Sequence, residues 1–303
     1  YARGLRMRRI ADPAEAVRDK TLLGVFACTE GDKEILPLAQ AEPGVAYPSY
    51  LEMTHSCSPF YIDVLNREVV REFLRETHER YAQRFALGKA GLAGFFTDEP
   101  RLSEGPIPWS YLLPEEFRRR YGYDLMAVLP ALYLPCRDYR KVRHDFWAMV
   151  NDLFVNAYMK QIGEWCEAHG CLLTGHMMME ESLYSQMTGT AGGMPFYEFM
   201  QQPGVDSLRR NVNDPRIPKQ VGSVAEQLGK KTVLSESYAM SGWDLNFDEM
   251  RWIAGWQFVN GVNLICQHLQ AYSLKGSRKR DYPPSLYYQQ TWYKEYHRFN
   301  DTI

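Results

Sequence analysis

Four stretches of this chain, residues 88–99, 170–176, 229–236 and 261–268, repeat one pattern: a glycine after a helical run, an apolar segment, and a polar residue where that segment stops. The clearest two are Gly91-Leu92-Ala93-Gly94-Phe95-Phe96-Thr97-Asp98-Glu99-Pro100 and Lys231-Thr232-Val233-Leu234-Ser235-Glu236-Ser237-Tyr238, each reaching a glutamate. Strands that alternate with helices argue a parallel sheet, whose functional groups stand at the carboxyl ends of the strands. No G-x-G-x-x-G or Walker loop is present, which disfavours a nucleotide-binding doubly wound sheet. The expected fold class is therefore α/β, a (β/α)8 TIM-type barrel.

The intervening helices carry their own signals. Asn66 can cap a helix with Val70, Leu74, Tyr81 and Phe85 on one face, stopped by Gly88. Residues 101–142, rich in Pro, Tyr and Arg, read as an insertion. A long helix follows through Phe146, Met149, Leu153, Ala157, Ile162 and Trp165. Asp214-Pro215 opens another helix, and Asn246 with Glu249 forms a capping-box pattern for a third. Counting back from 262–268 as the eighth strand makes 231–236 the seventh, 204–208 the sixth, 171–176 the fifth and 92–98 the fourth. The amino-terminal part does not fit this register. Leu22 to Ala27 and Tyr50 to His55 suit strands, but residues 28–48 show no period, so 1–65 is expected to be irregular or to lack barrel strands. The chain is read as one barrel domain, 1–303, belonging to a larger multidomain protein.

Composition excludes several function classes. Of 303 residues, 45% are hydrophobic and 24% charged, enough to bury a large core, and the net charge of −2 offers no footprint for nucleic acid. The densest basic cluster, Lys275, Arg278, Lys279 and Arg280, reads as a solvated loop. No apolar run approaches the roughly 18 residues of a membrane span. Six cysteines without C-x-x-C spacing are expected to be free thiols, which predicts a reducing, cytoplasmic setting. The chain starts at Tyr1, so a leader or an upstream domain stays open.

Two carboxylates at strand mouths facing one cavity are the equipment for cleaving a glycosidic bond: one protonates the leaving oxygen, the other attacks the anomeric carbon or activates water. Glu99, beside Phe95, Phe96 and Pro100, suits the acid, since an apolar setting raises a carboxyl pKa. Glu236 suits the nucleophile or base, with Ser235, Ser237 and Tyr238 available to hydrogen-bond its ionised form. Asp98, Tyr238, Trp243, His176 and His268 are expected to bind substrate. Glu180 and Glu181, after the fifth strand, are alternative bases in an inverting enzyme. Trp109, Tyr184 and Tyr272 are further aromatics suited to stacking on sugar rings. A His176/His268 metal site would need Asp98 or Glu180 nearby; the reading places no metal there.

Glutamates ending strands four and seven match the clan of retaining (β/α)8 glycosidases, whose acid follows an asparagine in Asn-Glu-Pro. Here Asp98 replaces that asparagine, and an ionised aspartate only accepts hydrogen bonds. A closer resemblance rests on Tyr61-Ile62-Asp63-Val64-Leu65-Asn66, Gly94-Phe95-Phe96-Thr97-Asp98-Glu99-Pro100, Thr174-Gly175-His176, Leu234-Ser235-Glu236-Ser237, and Gly261-Val262-Asn263 with Tyr282-Pro283-Pro284. Over residues 60–300 the chain resembles the catalytic domain of glycoside hydrolase family 106, the α-L-rhamnosidases. The resemblance implies a multidomain carbohydrate-active enzyme, a substrate containing L-rhamnose or a similar sugar, inversion at the anomeric carbon, and room for a bound calcium. Strand positions four and seven instead argue retention, with carboxyl groups within about 6 Å. Two rival readings are a carbohydrate-binding barrel without activity and a metal-dependent hydrolase.

Overall fold

A computed structural model describes residues 1–303 apart from 89–90, 103–104, 211, 271–272, 274 and 278–281. The basic cluster around 278–280 and Tyr272 lie outside the described residues. The strands are β1 (Arg3–Ile10), β2 (Leu22–Cys28), β3 (Ile35–Pro37), β4 (Ser49–Cys57), β5 (Gly94–Asp98), β6 (Pro108–Trp109), β7 (Leu172–His176), β8 (Gln202–Ser207), β9 (Leu234–Ser237) and β10 (Leu264–Gln267). The described residues fall into two compact units. One comprises Tyr1–His78, Arg101–Gln161 and Met187–Ala191; the other comprises Glu79–Pro100, Ile162–Gln186 and Gly192–Ile303.

The first unit holds an antiparallel sheet in the order β3-β2-β4-β1-β6. This is where the structure departs from the sequence reading. The amino-terminal segment is neither irregular nor a set of barrel strands: β1 pairs with β4 from Arg3↔Cys57 to Ile10↔Tyr50. The two strands expected near 22–27 and 50–55 are present as β2 and β4, but they run antiparallel. Parallel neighbours need a long crossover, usually a helix, whereas residues 29–48 contain only short 3-10 turns and β3. β1 hides its strand character behind arginines. Arg8 crosses to Glu52 of β4 at 2.8 Å, while Leu5 is buried. Asn66 caps the helix Arg67–Glu76 through Glu68 and Val69 N–H as expected, but the helix breaks at Thr77, whose hydroxyl donates to the Phe73 carbonyl.

The second unit holds a parallel sheet in chain order, β5-β7-β8-β9-β10. These are the strands numbered four to eight from the sequence. Strands one to three of an eight-stranded ring are not formed among the described residues, so the fold shown is mixed α/β with half a barrel's order of parallel strands. The helix Arg216–Gln227 buries Ile217, Val221, Val224 and Ala225. The helix Phe247–Val259 begins with the expected capping box of Asn246 and Glu249. A 3-10 turn, Tyr293–Glu295, leads into a short helix, Tyr296–Asn300, with Phe299 stacked on Phe247 at 4.9 Å. No helix among the described residues is long and apolar enough to cross a membrane, and all six cysteines are free.

Candidate active site

The parallel register brings the strand tips together. Asp98 of β5 pairs with His176 of β7, and Asp206 of β8 pairs with Glu236 of β9. Residues in register on neighbouring strands point to the same face, so each pair projects from one side of the sheet. Gly175, just before His176, has φ +125°, and a Cβ there would lie 2.0 Å from the Thr97 carbonyl oxygen. Only glycine permits this approach of β7 to β5.

These tips line a cavity of about 320 Å³. Its polar wall consists of Asp98, Glu99, His176, Glu181, Asp206, Arg209, Glu236 and His268; Leu208, Ile217 and Met240 add apolar surface, and Tyr282 an aromatic ring. Glu99, Arg209, Met240 and Tyr282 all have left-handed backbones, with φ between 39° and 67°. Such strain in residues with side chains costs on the order of 1–3 kcal/mol each and gathers at functional sites.

His176 sits at the centre. It is 1% exposed, and its Nε2 lies 2.6 Å from Glu236 Oε2 and 3.5 Å from Asp98 Oδ1. Burial disfavours its charge, but the hydrogen bond to Glu236 and the fields of Glu180, Glu236 and Asp206 outweigh it, and the imidazolium is pushed up to about 9. Burial likewise works against the Glu236 carboxylate, yet the hydrogen bond from His176 and the charges of His176 and His268 pull its pKa below the ordinary value. His268 Nε2 stands 3.8 Å from Glu236 Oε1. Glu99 moves the other way: burial raises its carboxyl, His176 opposes, and the neighbouring carboxylates Asp98, Glu236 and Glu181 add to the rise.

The expected residues divide into those that meet in the cavity and those that do not. Glu99, Glu236, Asp98, His176 and His268 share it, as does Glu181. Tyr238 does not reach it. Its ring is fully buried among Leu245, Met250, Ile253 and Phe299, and its hydroxyl donates to the Met250 carbonyl, because the left-handed turn at φ 77° directs it away from the strand tip. Trp243 is not among the lining residues and is 41% exposed. Trp109 is buried in the other unit, and Tyr184 is 80% exposed. Glu180 is 2% exposed rather than a solvated loop residue, and burial pushes its carboxyl up to about 7 against the hydrogen bond from Tyr197.

Asp206 and Arg209 also line the cavity, though neither stands in the strand-tip pattern. Asp206 is half-buried. Desolvation, opposed by His176 and reinforced by the charges of Glu236, Glu180 and Glu99, pushes it up to about 7, and its Oδ1 has no partner among the described residues. The signal was available: a carboxylate inside the apolar strand Val205-Asp206-Ser207. Among the described residues two groups offer metal-ligating atoms within 4.8 Å of one another, Asp98 with His176 and Glu236, and Glu99 with His176 and Asp206. Neither contains His268 or Glu180, the other members considered from the sequence. The carboxylates supply hard oxygen donors, and the unpartnered Asp206 Oδ1 is compatible with a calcium ion.

No curated protein matches the chain. Among solved structures it resembles the rhamnosidase from Novosphingobium sp. PP1Y, with a TM-score of 0.57 and 18% identity over 79% of this chain. The matched region spans 24% of that rhamnosidase. Residues 52–294, which include every strand tip of the cavity, match the α-L-rhamnosidase family, and the chain belongs to that family.

Proposed function

We propose that this chain carries the catalytic site of a glycoside hydrolase that removes an α-L-rhamnosyl residue, with Glu99 as the acid and Glu236 as the ionised partner. The observation that supports it most is the opposite displacement of two carboxylates in one cavity. Glu99 is raised toward the protonated form, while Glu236 is held ionised by His176 at 2.6 Å. Groups pushed apart in this way divide acid and base roles between them. Glu99 donates a proton to the glycosidic oxygen. Glu236 takes a proton from water, and His268, 3.8 Å from Oε1, is close enough for one water molecule to touch both. Asp98 orients sugar hydroxyls, and Arg209 is the cavity's remaining cation.

A second assignment of the base has its own support. Asp206 lies in the same cavity, titrates at about 7 and has an unpartnered oxygen, as a general base requires. A calcium ion, which the family resemblance admits, would be held by the carboxylates of one of the two groups, Asp98 with Glu236 or Glu99 with Asp206. Bound there it would supply positive charge toward sugar hydroxyls. The 24% coverage of the Novosphingobium rhamnosidase supports placing this chain within a larger enzyme with accessory domains.

The test is hydrolysis of an aryl α-L-rhamnoside by the purified chain, with and without a chelator. The Glu236→Gln and Asp206→Asn variants are assayed beside it. A loss of about 100-fold or more in one variant, against a small loss in the other, identifies the base. Rhamnoside binding without turnover in the wild type would instead leave a carbohydrate-binding domain. Activity abolished by the chelator and restored only by a transition metal would favour the metal-dependent reading.

A further inference from the structure

The β7–β8 ladder is short: Thr174 pairs with Gln202 and Gly175 with Pro203, and there it ends. Pro203 has no N–H to donate. Beyond that point, at the cavity mouth, the amide N–H groups of Met177 and Asp206 need other acceptors. One side chain supplies both. Glu180 Oε1 accepts from Met177 N at 3.1 Å, and Oε2 accepts from Asp206 N at 2.8 Å. The hydroxyl of Tyr197, itself fully buried, donates to Oε1 at 2.5 Å and fixes the carboxylate between the two strands. The Glu180 carbonyl in turn accepts from Gln186 Nε2 at 3.0 Å.

We propose that Glu180 is a positioning residue, a side-chain brace that replaces the missing backbone ladder between β7 and β8 and so fixes Asp206 in the cavity wall. Glu180 is not among the residues lining the cavity, so it acts through Asp206 and not on the substrate. The consequence for turnover rests on the proposed hydrolase reading; the brace itself does not. An amide cannot replace this carboxylate. Glutamine would oppose an NH2 to the Asp206 N–H, donor against donor, or, turned over, to the N–H of Met177, with only the Tyr197 hydroxyl able to turn and accept from it.

The full chain is compared with Glu180→Gln, Asp206→Asn, the double variant and Tyr197→Phe. Two readouts are taken, amide hydrogen exchange and steady-state hydrolysis of an aryl α-L-rhamnoside. In Glu180→Gln the Asp206 amide is expected to exchange at least about tenfold faster, with β10 unchanged. The value of kcat falls about 10- to 100-fold while KM stays within about threefold, as for a misplaced group. On the Asp206→Asn background, Glu180→Gln adds less than about threefold, because both changes act through one residue. Unchanged exchange at Asp206, or a full multiplicative loss in the double variant, overturns the proposal. If the wild type does not hydrolyse rhamnosides, the functional reading fails and the exchange measurement alone decides the brace. If Glu180→Gln does not fold, Tyr197→Phe decides: the freed carboxylate should loosen the Asp206 amide by about threefold, and no change refutes the brace.

Discussion

The hydrogen bond between His176 Nε2 and Glu236 Oε2, 2.6 Å long, ties the tip of β7 to β9 across the intervening β8. It is a charge-assisted bond inside a half-barrel, and it makes stability depend on pH. His176 has a folded pKa raised from 6.5 to about 9, so its stabilising contribution is fully present below about pH 6.5 and is lost as pH rises through about 9. Glu236 has a lowered pKa, so its contribution is present above the ordinary carboxylate range and is lost as pH falls through the depressed value. Urea unfolding between pH 3 and 10 should therefore weaken at both ends. In His176→Gln the alkaline weakening between pH 7 and 9 should disappear, and the variant should be less stable by about 3 kcal/mol near neutrality. That is the lower end for a buried pair, since the Glu236 side chain keeps 16% of its exposure. An unaltered alkaline limb would mean that another group titrates there.

Replacing Glu99 with glutamine keeps the shape and removes the proton. For rhamnosides with poor leaving groups, turnover should fall at least about 100-fold, and for activated aryl rhamnosides considerably less, because a good leaving group needs no acid. Equal losses on both substrate classes would point to a role in binding.

Gly175→Ala would place a methyl group 2.0 Å from the Thr97 carbonyl oxygen, at a φ of +125° that alanine avoids. We expect a loss of well over 1 kcal/mol in unfolding free energy. We also expect reduced turnover in whatever folds, because His176 follows directly. Wild-type stability would show that β5 and β7 separate without cost.

Tyr238→Phe tests a residue that the sequence places near the sugar and the structure buries. Losing the bond to the Met250 carbonyl, 3.3 Å long, should cost about 1 kcal/mol of stability and leave KM unchanged. A raised KM with stability intact would return Tyr238 to the site.

What the sequence showed and what it hid follow from periodicity. The strands β5, β7, β9 and β10 announce themselves because each is an apolar stretch that follows a glycine after a helical run, and Asp98, Glu99, His176, Glu236 and His268 stand at their tips. The antiparallel sheet was obscured because β1 carries Arg3, Arg6, Arg8 and Arg9, and its partner Glu52 lies 44 residues on. Tyr238 was misplaced because a single left-handed residue turned it from strand tip to core. The strand-tip pattern that marks Glu99 and Glu236 does not mark Asp206, which stands inside the segment Val205-Asp206-Ser207.

The anomer formed first distinguishes the two courses open to these carboxylates. Strand positions alone argue retention, by direct attack of Glu236 on the anomeric carbon, which needs a gap of about 5 to 5.5 Å; inversion needs about 6.5 to 9.5 Å for a water. The surroundings of Glu236 favour the water. Oε2 is engaged by His176 at 2.6 Å, and Oε1 faces His268 at 3.8 Å, too far for a bond between them but close enough for both to hold one water molecule. An α-L-rhamnoside should therefore release β-L-rhamnose first, observed by proton NMR within the first minutes of reaction before the anomers equilibrate. His268→Ala should slow turnover about tenfold or more by losing the second contact to that water. First-formed α-L-rhamnose would mean that Glu236 attacks the sugar directly despite its hydrogen bond to His176, and the assignment of a water-activating base would fall with it.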